Sequence, residues 1–372
     1  MTGPELRTWA EVSLRQIREN FRAISTTVGK GGLVAPVVKA DAYGHGAVPV
    51  SRALVNAGAT WLAVSCVQEG VALRQSGIAA RILVLGGLLP FERDAIFTHR
   101  LTPVVHALEE LRDYDAAGLP ATVHLKIDTG MSRLGAAASP AEVAETLRGL
   151  KHVRVEGLMS HFASAEDFTT EQTAGQVWQF EAVCEAVRGA GLAPEMVPEM
   201  MHLSSSNAIA YGRRETWLSL VRPGLATYGY VSPSLSGPVN TLAVAPVLTW
   251  YARLLKIREI AAGTPVGYMA RFRAPAAMRI GTVAAGYADG IPHRLSTRGA
   301  LVSKGRALPI LGAVSMDLTT VDLALAAELK VGDAVTVLGP GMDAQQIAEI
   351  AGEIPYSVLC GIGNRVRRVY LD

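Results

Sequence analysis

Short apolar runs alternate regularly with helical stretches over the first two thirds of the chain. Ser13 and Gln16 match a capping box, and apolar residues recur at helical spacing from Leu14 to Ile24, so the first helix is predicted to begin near Ser13. The apolar runs predicted as buried strands are Val34–Lys39, Trp61–Ser65, Ile82–Gly86, Thr102–Val105, Thr122–Ile127, Val155–His161, Met200–Ser204 and Val221–Gly229. The segments between them predicted as helices are Ala47–Ala57, Val67–Gln75, Ala141–Leu147, Thr173–Ala190 and Asn207–Tyr211. Eight strands that alternate with helices predict an α/β fold, the TIM (β/α)8 barrel.

A second region begins near Pro238, where Gly and Pro turns separate short strands. The strands predicted there are Val244–Ile257, Arg279–Ala285, Ala300–Val302, Ala307–Val314, Thr319–Val321 and Ala334–Leu338, and the short helices are Ala324–Leu329 and Ala344–Ile350. We therefore expect an N-terminal barrel over residues 1–237 and a C-terminal mainly β domain over 238–372, with residues 1–12 packing with the latter. A doubly wound sheet is disfavoured, because no Gly-rich phosphate fingerprint follows the first strand.

Composition narrows the possible functions. The 372 residues have a net charge of +2 without a basic stripe, so we expect no nucleic-acid partner. Apolar runs are too short to span a membrane and no signal peptide is evident, which predicts a cytoplasmic protein. The three cysteines form no CxxC pair and the eight histidines show no metal-ligand spacing, so we expect reduced thiols and no metal.

Lys39 stands at the end of the first predicted strand, and small, turn-forming residues follow it. Lysine is rarely buried unless something holds it, and a desolvated lysine has a lowered pKa and can act as an amine nucleophile. Two interpretations remain open. Lys39 holds a carbonyl substrate or pyridoxal phosphate as a Schiff base, or its side chain extends from the strand end into solvent.

Candidate phosphate-binding groups follow the seventh and eighth predicted strands, where barrels often bind phosphate. Ser206 offers a hydroxyl, and Gly224 and Leu225 offer backbone N–H groups near a helix start. Together with Lys39, they suit a phosphorylated aldehyde cofactor that spans the barrel mouth. An ordinary polar loop is the alternative interpretation of the serine run.

Arg222 follows an apolar strand and is predicted to extend into the barrel mouth. It either pairs with a barrel acid such as Glu156 or Asp128, or donates to the pyridine nitrogen of pyridoxal phosphate. Because arginine keeps its proton, that nitrogen would stay unprotonated. Such a cofactor is a poorer electron sink, which suits a reaction that removes a proton and returns it.

Six motifs resemble those of bacterial alanine racemases, and the resemblance extends over essentially the whole chain. The motifs are Val37–Gly46, Lys126–Gly135, Ser160–Ala163, Arg222–Gly224 with Tyr228–Gly229, Gly286–Gly290 and Val314–Asp317. The resemblance implies racemisation of L-alanine and D-alanine, which supplies D-alanine for peptidoglycan. It also implies that Lys39 holds pyridoxal phosphate and acts on one face of the substrate, while Tyr268 acts on the other. His161 would hydrogen-bond Tyr268 and contact Arg222.

The resemblance further implies a homodimer with shared active sites, in which Tyr268 and Met316 reach the Lys39 of the other subunit. Met316 and Arg133 correspond to positions that bind the substrate carboxylate. The positions that contact the cofactor phosphate include those of Tyr43 and Tyr356. Lys126 corresponds to a lysine that is often carbamylated in this family, and an ordinary Lys126–Asp128 pair is the alternative.

The chain departs from the family pattern at a few places. Ser315, Ala313 and Ser205 replace a cysteine, an arginine and an asparagine, and residues 269–272 replace a run of small residues and threonine. The last change could alter the entry channel, so a broader or serine-directed racemase is one alternative. A barrel-type pyridoxal phosphate decarboxylase is another. A non-catalytic cofactor carrier and a barrel aldolase are disfavoured, because neither gives the C-terminal domain a role.

Overall fold

Two separate sets of strands organise the protein, for which a computed structural model describes residues 5–118 and 120–372. The strands are β1 (Thr8–Ser13), β2 (Leu33–Val34), β3 (Trp61–Val64), β4 (Arg81–Val84), β5 (Thr102–Val105), β6 (Ala121–Lys126), β7 (Val153–Met159), β8 (Met200–His202), β9 (Leu220–Val221), β10 (Leu248–Ile260), β11 (Pro265–Val266), β12 (Phe272–Arg273), β13 (Met278–Val283), β14 (Ala300–Ser303), β15 (Arg306–Pro309), β16 (Thr319–Asp322), β17 (Ala334–Leu338) and β18 (Arg367–Leu371). The helices are α1 (Leu14–Val28), α2 (Lys39–Gly44), α3 (Ala47–Asn56), α4 (Val67–Gln75), α5 (Arg93–Thr98), α6 (Leu108–Ala116), α7 (Pro140–Gly149), α8 (Gln172–Arg188), α9 (Ser206–Ala210), α10 (Ala344–Ala351) and α11 (Pro355–Cys360).

The first unit, which we call the barrel unit, comprises Ile17–Ala42 and Ala47–Ala245. Strands β3 to β8 form a parallel sheet in chain order, and β2 pairs in parallel with β9. Isolated bridges from Val37 to Ala63 and from Ser205 to Arg222 join the two sets, so the eight strands form a closed ring. The predicted (β/α)8 barrel is confirmed, although its first strand is shorter than expected.

Apolar side chains fill the interior and the helix-facing side of this barrel. All four residues of β3 are buried, as are all four of β5, as expected for parallel strands covered on both faces. Helix α1 begins where the sequence predicted, because Ser13 Oγ accepts a hydrogen bond from the Gln16 amide at 3.1 Å. Parallel strands place their carboxyl ends at one mouth, where the candidate residues of the barrel therefore gather.

The second unit, which we call the β unit, comprises the described residues up to Gln16, Tyr43–Gly46 and Pro246–Asp372. Its main sheet has the order β15-β14-β17-β10-β1-β18, and β13 extends it by pairing with β10 and β16. Strand β1 lies antiparallel to β10 and parallel to β18, so residues 8–13 are part of this sheet. Residues 1–4, which belong to the segment expected to pack here, lie outside the described residues.

The helix predicted over 324–329 is wrong, since these residues form turns. The Arg279 guanidinium donates to the carbonyls of Ala326, Ala327 and Leu329, which stabilises the turn conformation. Helices α2, α5, α6 and α11 were not predicted from the sequence. No helix among residues 5–118 and 120–372 is both long and apolar enough to cross a membrane.

Candidate active site

The segment that ends in Lys39 is fixed to the barrel through the backbone of Val37. The Val37 amide donates to the Pro223 carbonyl at 2.8 Å, and the Val37 carbonyl accepts from the Tyr228 hydroxyl at 2.9 Å. Tyr228 is fully buried, so this hydrogen bond is protected from water. These two hydrogen bonds therefore fix the backbone just before Lys39 at the barrel mouth.

Helix α2, which begins at Lys39, is a short turn in which the residues after Lys39 adopt an unusual left-handed conformation. Four consecutive non-glycine residues, Ala40 to Tyr43, have φ angles between 51° and 54°, and Gly44 continues the turn at 79°. L-residues normally visit this region singly, because Cβ then lies too close to the following carbonyl oxygen. Such strain persists only where the surroundings enforce it, and it is concentrated at functional sites.

Glu69 connects the start of this turn to the neighbouring strand. Its two carboxylate oxygens accept hydrogen bonds from the Ala40 amide at 2.6 Å and from the Ser65 amide at 2.7 Å. Asp41 continues the series by accepting from the Ala47 amide at 2.6 Å. These charge-assisted bonds hold the backbone on both sides of the turn, and the sequence analysis did not identify either carboxylate.

Arg222 is buried at the barrel mouth and has only neutral hydrogen-bond partners. Its Nη1 donates to His202 Nδ1 at 2.6 Å, and its Nη2 donates to the carbonyls of Ser160 and Leu203 at 2.7 and 3.1 Å and to His161 Nδ1 at 3.4 Å. The alternative interpretation, an ion pair with Glu156 or Asp128, is wrong. Burial without a paired carboxylate lowers the pKa of Arg222 to about 9.

The hydrogen bonds of Arg222 occupy Nη1 and Nη2, and its Nε has no acceptor among the described residues. Arg222 is 3% exposed, and its Nε is not one of the unpartnered atoms that are fully buried, so a ligand or water can reach this N–H and complete its hydrogen bonding. The pyridine nitrogen of pyridoxal phosphate is an acceptor of the required kind. The residues at this position therefore fit the cofactor.

His161 lies beside Arg222 and is neutral at physiological pH. Burial and the nearby cations Arg222, Arg133, Lys126 and Lys39 lower the pKa of His161 to about 3. A neutral imidazole can accept a proton on one nitrogen while it donates from the other. His161 can therefore relay a hydrogen bond but adds no positive charge to the mouth.

Ser206, Gly224 and Leu225 lie together at the mouth, but the Gly224 amide, which was predicted to meet a phosphate, is already hydrogen-bonded within the protein. Ser206 Oγ accepts hydrogen bonds from the amides of Gly224 at 3.0 Å and Ala226 at 3.1 Å. Leu225 begins a short 3-10 turn, so its amide lacks a partner within that turn. The arrangement offers one amide and one hydroxyl proton to an anion.

Lys126 ends β6, and Asp128 and Arg133 belong to the loop after it; the Lys126–Asp128 pair, given as the alternative to carbamylation, is absent from the described contacts. Lys126 Nζ donates to the Leu134 carbonyl at 2.6 Å, whereas Asp128 accepts three loop amides, those of residues 130–132, at 3.0–3.1 Å. Burial and the nearby Arg133 lower the pKa of Lys126 to about 8. Asp128 shapes the loop that presents Arg133, whose side chain is exposed.

Tyr43 and Tyr356 lie together in the β unit, with ring centroids 5.8 Å apart. Burial, followed by the proximity of Tyr356 and Cys360, raises the pKa of Tyr43 far above its usual value, so its hydroxyl stays protonated. The adjoining Gly44 allows close packing, because a Cβ there would lie 2.5 Å from the Leu359 carbonyl oxygen. The pair can offer hydroxyl protons to a phosphate.

Tyr268 lies at the tip of the β11–β12 hairpin, and 71% of its surface is exposed. Gly267, at φ 69° and ψ −170°, adopts a conformation that is essentially restricted to glycine, and the following Met269 and Ala270 have positive φ. A strained backbone therefore presents a large aromatic side chain to solvent. Met269 is even more exposed, at 85%.

Met316 lies on a second exposed loop of the β unit, and hydrogen bonds hold the residues on both sides of it, Ser315 and Asp317. The amides of Tyr287 and Ala288 donate to the carbonyls of Ser315 and Met316 at 3.0 and 2.9 Å. Arg365 donates to Asp317 at 2.8 Å and to both carboxylate oxygens of the buried Asp289 at 2.9 and 3.0 Å. This network fixes the backbone around Met316.

The sequence analysis missed several residues that organise the site. Glu69 binds backbone amides, whereas His202 and Arg365 contact other side chains, and each of the three has a partner that is distant in sequence. Glu69 did have a detectable signal, since an acidic residue in the first turn of a helix accepts nearby amides. His202 could have been suspected from its position at the carboxyl end of a strand.

Two family models together match this chain along nearly its full length. The model described as alanine racemase, N-terminal domain, matches residues 12–233, and the model described as alanine racemase, C-terminal domain, matches residues 247–370. The alanine racemases of Geobacter sulfurreducens and Halothermothrix orenii are 38% and 36% identical to it. These alignments cover 98% of this chain and 97% and 96% of the relatives.

Solved structures show the same similarity in three dimensions. The alanine racemase of Clostridium difficile 630 in complex with cycloserine superposes with a TM-score of 0.89 at 31% identity, covering 99% of this chain and 96% of that one. The alanine racemase of Bartonella henselae with covalently bound pyridoxal phosphate gives a TM-score of 0.86 at 27% identity, covering 98% and 99%.

Proposed function

This chain belongs to the alanine racemase family, and from that premise we propose that it interconverts L-alanine and D-alanine with Lys39 and Tyr268 as two bases and pyridoxal phosphate as cofactor. The observation that best supports the proposal is the buried Arg222, whose partners are all neutral and whose Nε lacks an acceptor among the described residues. Lys39 follows a strand that is fixed at the same mouth.

Pyridoxal phosphate, once bonded to the amino acid, withdraws electrons from the α-carbon and so acidifies its proton. Arg222 would donate from Nε to the pyridine nitrogen and would keep it unprotonated. Ser206, Leu225, Tyr43 and Tyr356 would hold the phosphate through hydroxyl and amide protons. These groups orient the cofactor without supplying a strong acid near its ring, which favours return of the proton over side reactions.

Lys39 and Tyr268 would move the proton at the α-carbon from opposite faces. Lys39 would exchange the proton of D-alanine, and Tyr268 that of L-alanine, so inversion needs both residues but no rotation of the intermediate. The neutral His161 would contact Tyr268 and link it to Arg222. Arg133 and the Met316 amide would bind the substrate carboxylate and so fix which face each base meets.

We also propose a homodimer in which Tyr268 and Met316 complete the site of the other subunit. The 71% and 53% exposure of these two side chains supports the proposal, because both are accessible to a second chain. Cys66, Cys184 and Cys360 form no disulfide, which suits the cytoplasm, where D-alanine would be made for peptidoglycan.

Carbamylation of Lys126 remains a proposal too. A pKa of about 8 leaves part of this amine neutral near pH 7, and only the neutral amine reacts with carbon dioxide to give a carbamate and a proton. The resulting anion would lie among Arg133 and Arg222, which otherwise repel the lysine. It would orient the Arg133 guanidinium toward the substrate.

The test is a chiral assay of the purified protein with each alanine enantiomer, with L-serine as the competing substrate. The proposal expects racemisation of alanine in both directions and visible cofactor absorbance that borohydride abolishes. Lys39→Ala should lose that absorbance, whereas Tyr268→Phe should keep it and still exchange the α-deuterium of D-alanine. Carbon dioxide release without racemisation would instead indicate the decarboxylase, and preferential turnover of serine would indicate the serine-directed racemase.

A further inference from the structure

A chain of buried side chains leads from Arg222 through the interior of the barrel to a carboxylate. Arg222 Nη1 lies 2.6 Å from His202 Nδ1, and His202 Nε2 lies 2.7 Å from His124 Nδ1. His124 Nε2 lies 3.8 Å from Glu156 Oε2. Arg81 closes the series with two contacts of 2.5 Å to the Glu156 carboxylate. We call the series from Arg222 to Glu156 the histidine relay.

The chemistry of Arg222 dictates the direction of every hydrogen bond in the relay. Arginine only donates, so His202 Nδ1 must accept and the proton of this neutral ring must lie on Nε2. His202 then donates to His124 Nδ1, which places the His124 proton on Nε2, facing Glu156. His124 Nε2 makes no hydrogen bond, but it lies 3.8 Å from Glu156 Oε2, so the Glu156 anion favours a proton on Nε2 through its charge.

The charge states support this direction. Burial lowers the pKa of both His124 and His202, so neither ring is protonated twice near neutral pH. Burial alone would raise the pKa of Glu156, but His124 and the Arg81 guanidinium outweigh it and hold the pKa at about 2. Glu156 is therefore an anion that can only accept.

The barrel makes room for the relay. His124 and His202 are fully buried, and Glu156 is 5% exposed. Gly157 stands opposite His124 in the β6–β7 pair, and a Cβ at Gly157 would lie only 2.6 Å from His124 Nδ1. The strand register shifts at the same point, between Val123 and His124. Glycine inside a strand commonly marks such a close approach.

From this geometry we infer that Glu156 and His124 are positioning residues that stabilise the His202 tautomer required by Arg222 and thereby hold Arg222 with its Nε toward the cofactor. The inference rests on the proposed function, because it assigns the relay to the arginine that meets the pyridine nitrogen. Loss of the Glu156 charge removes the anion that favours the His124 Nε2 proton. Both rings can then reverse, and His202 would present an Nδ1 proton to Arg222, which repels it.

The test is Glu156→Gln in the holoenzyme, which removes the negative charge that faces His124 Nε2 but keeps the length of the side chain. Nitrogen-15 NMR of histidine-labelled protein reads the tautomers directly. We expect Nε2–H on His124 and His202 in the unaltered protein, and Nδ1–H on at least His202 in the variant. We also expect kcat/KM to fall about tenfold to hundredfold, the effect of losing one hydrogen bond to a charged group, with weaker binding of added pyridoxal phosphate.

Glu199→Gln is the matched control, because it makes the same change at an exposed ion pair with Arg154, a residue of the same strand as Glu156. It should leave the tautomers and the kinetics unchanged. If Glu156→Gln does not fold, His124→Phe keeps an aromatic ring but removes the acceptor for His202, and the same reversal is expected at His202.

Unchanged Nε2–H tautomers in the folded variant would overturn the inference, as would an Nδ1 proton on His202 in the unaltered protein. Tautomer reversal with unchanged kinetics and cofactor binding would also overturn it, because the relay would then not act on Arg222. Absence of racemase activity in the unaltered protein would refute the proposed function instead. The tautomers would still report whether the relay exists.

Discussion

Replacing Glu69 by glutamine tests how the protein holds the turn after Lys39. In the structure, one carboxylate accepts the amides of both Ala40 and Ser65, at 2.6 and 2.7 Å. Glutamine has one acceptor oxygen, so one amide must face an NH2 group. The side chain keeps its length, and the change removes one of the two charge-assisted hydrogen bonds, either that of the Ala40 amide or that of the Ser65 amide.

The structure sets the expected size of the effect. A hydrogen bond to a charged group contributes about 1.5–3 kcal/mol when buried, and the partial exposure of the Ala40 contact places the loss nearer 1–2 kcal/mol. Four left-handed residues cost about 1–2 kcal/mol each, so the turn stores about 4–8 kcal/mol of strain. Glu69→Gln should therefore loosen the turn more than it destabilises the fold.

Glu110 provides a matched control. It accepts the amide of His106 at 2.9 Å, four residues earlier, just as Glu69 accepts that of Ser65, but it has no contact with the turn in its described hydrogen bonds. Glu110→Gln should keep its one acceptor and lower the free energy of unfolding by less than about 1 kcal/mol. Urea unfolding and pyridoxal phosphate titration measure the two effects.

The expected result is a clear loss of cofactor affinity in Glu69→Gln that Glu110→Gln does not show. Equal cofactor affinity in the two variants would refute the argument that Glu69 holds the turn, whatever their stabilities. A large loss of stability without a change in cofactor binding would show that Glu69 supports the barrel instead.

Three further predictions follow from the same structure. Gly157→Ala should lower the free energy of unfolding by about 1–3 kcal/mol in denaturant titrations, because the added methyl group overlaps the ring of His124; unchanged stability would contradict the close approach. Arg365→Gln should cost about 1–3 kcal/mol, since it leaves the buried Asp289 carboxylate without its cation, and should raise KM for alanine more than it lowers kcat; an unchanged KM would exclude a role in placing Met316. Burial lowers the pKa of His106, His124, His161 and His202 below 6.5, so these residues take up protons in the unfolded chain at a higher pH than in the folded one. As the pH drops below 6.5, the free energy of unfolding should therefore fall by about 1.4 kcal/mol per pH unit for each histidine. A flat profile down to about pH 5 would contradict these shifts.

The sequence allowed the barrel to be predicted because its strands are short apolar runs with clear ends. Ser13 marked the first helix through a local capping pattern, which depends on residues close in sequence. The helix predicted over 324–329 failed for the opposite reason. Arg279, more than forty residues away, donates to the carbonyls of that segment, and no local pattern reveals such a contact.

In the candidate site, too, features set by local sequence patterns were predicted, and features set by distant contacts were not. Lys39 and Ser206 stand at strand ends, so the barrel topology alone places them at one mouth. The resemblance to a known family, rather than any pattern of spacing, pointed to Tyr268, because an exposed tyrosine in a hairpin has no chemical signature by itself. The alternative interpretation that Arg222 pairs with an acid was wrong. Glu156 pairs with Arg81 instead, and two histidines lie between Glu156 and Arg222.

The left-handed turn could not have been predicted from the sequence. Alanine, aspartate and tyrosine prefer other backbone regions, and only Gly44 suggests a positive φ. The turn exists because carboxylates of Glu69 and Asp41 bind the surrounding amides. Local preference and tertiary contacts therefore disagree here, as they often do at functional sites.

The central claim is that one chain supplies Lys39 and another supplies Tyr268 to each site. Lys39→Ala and Tyr268→Phe chains, each inactive in racemisation, are mixed, dissociated and reassembled. Random pairing makes half of the dimers mixed, and each mixed dimer has one intact site of two, so about a quarter of the full activity should return. Recovery of that fraction is the predicted result, and no recovery from chains shown to have exchanged would contradict the shared site.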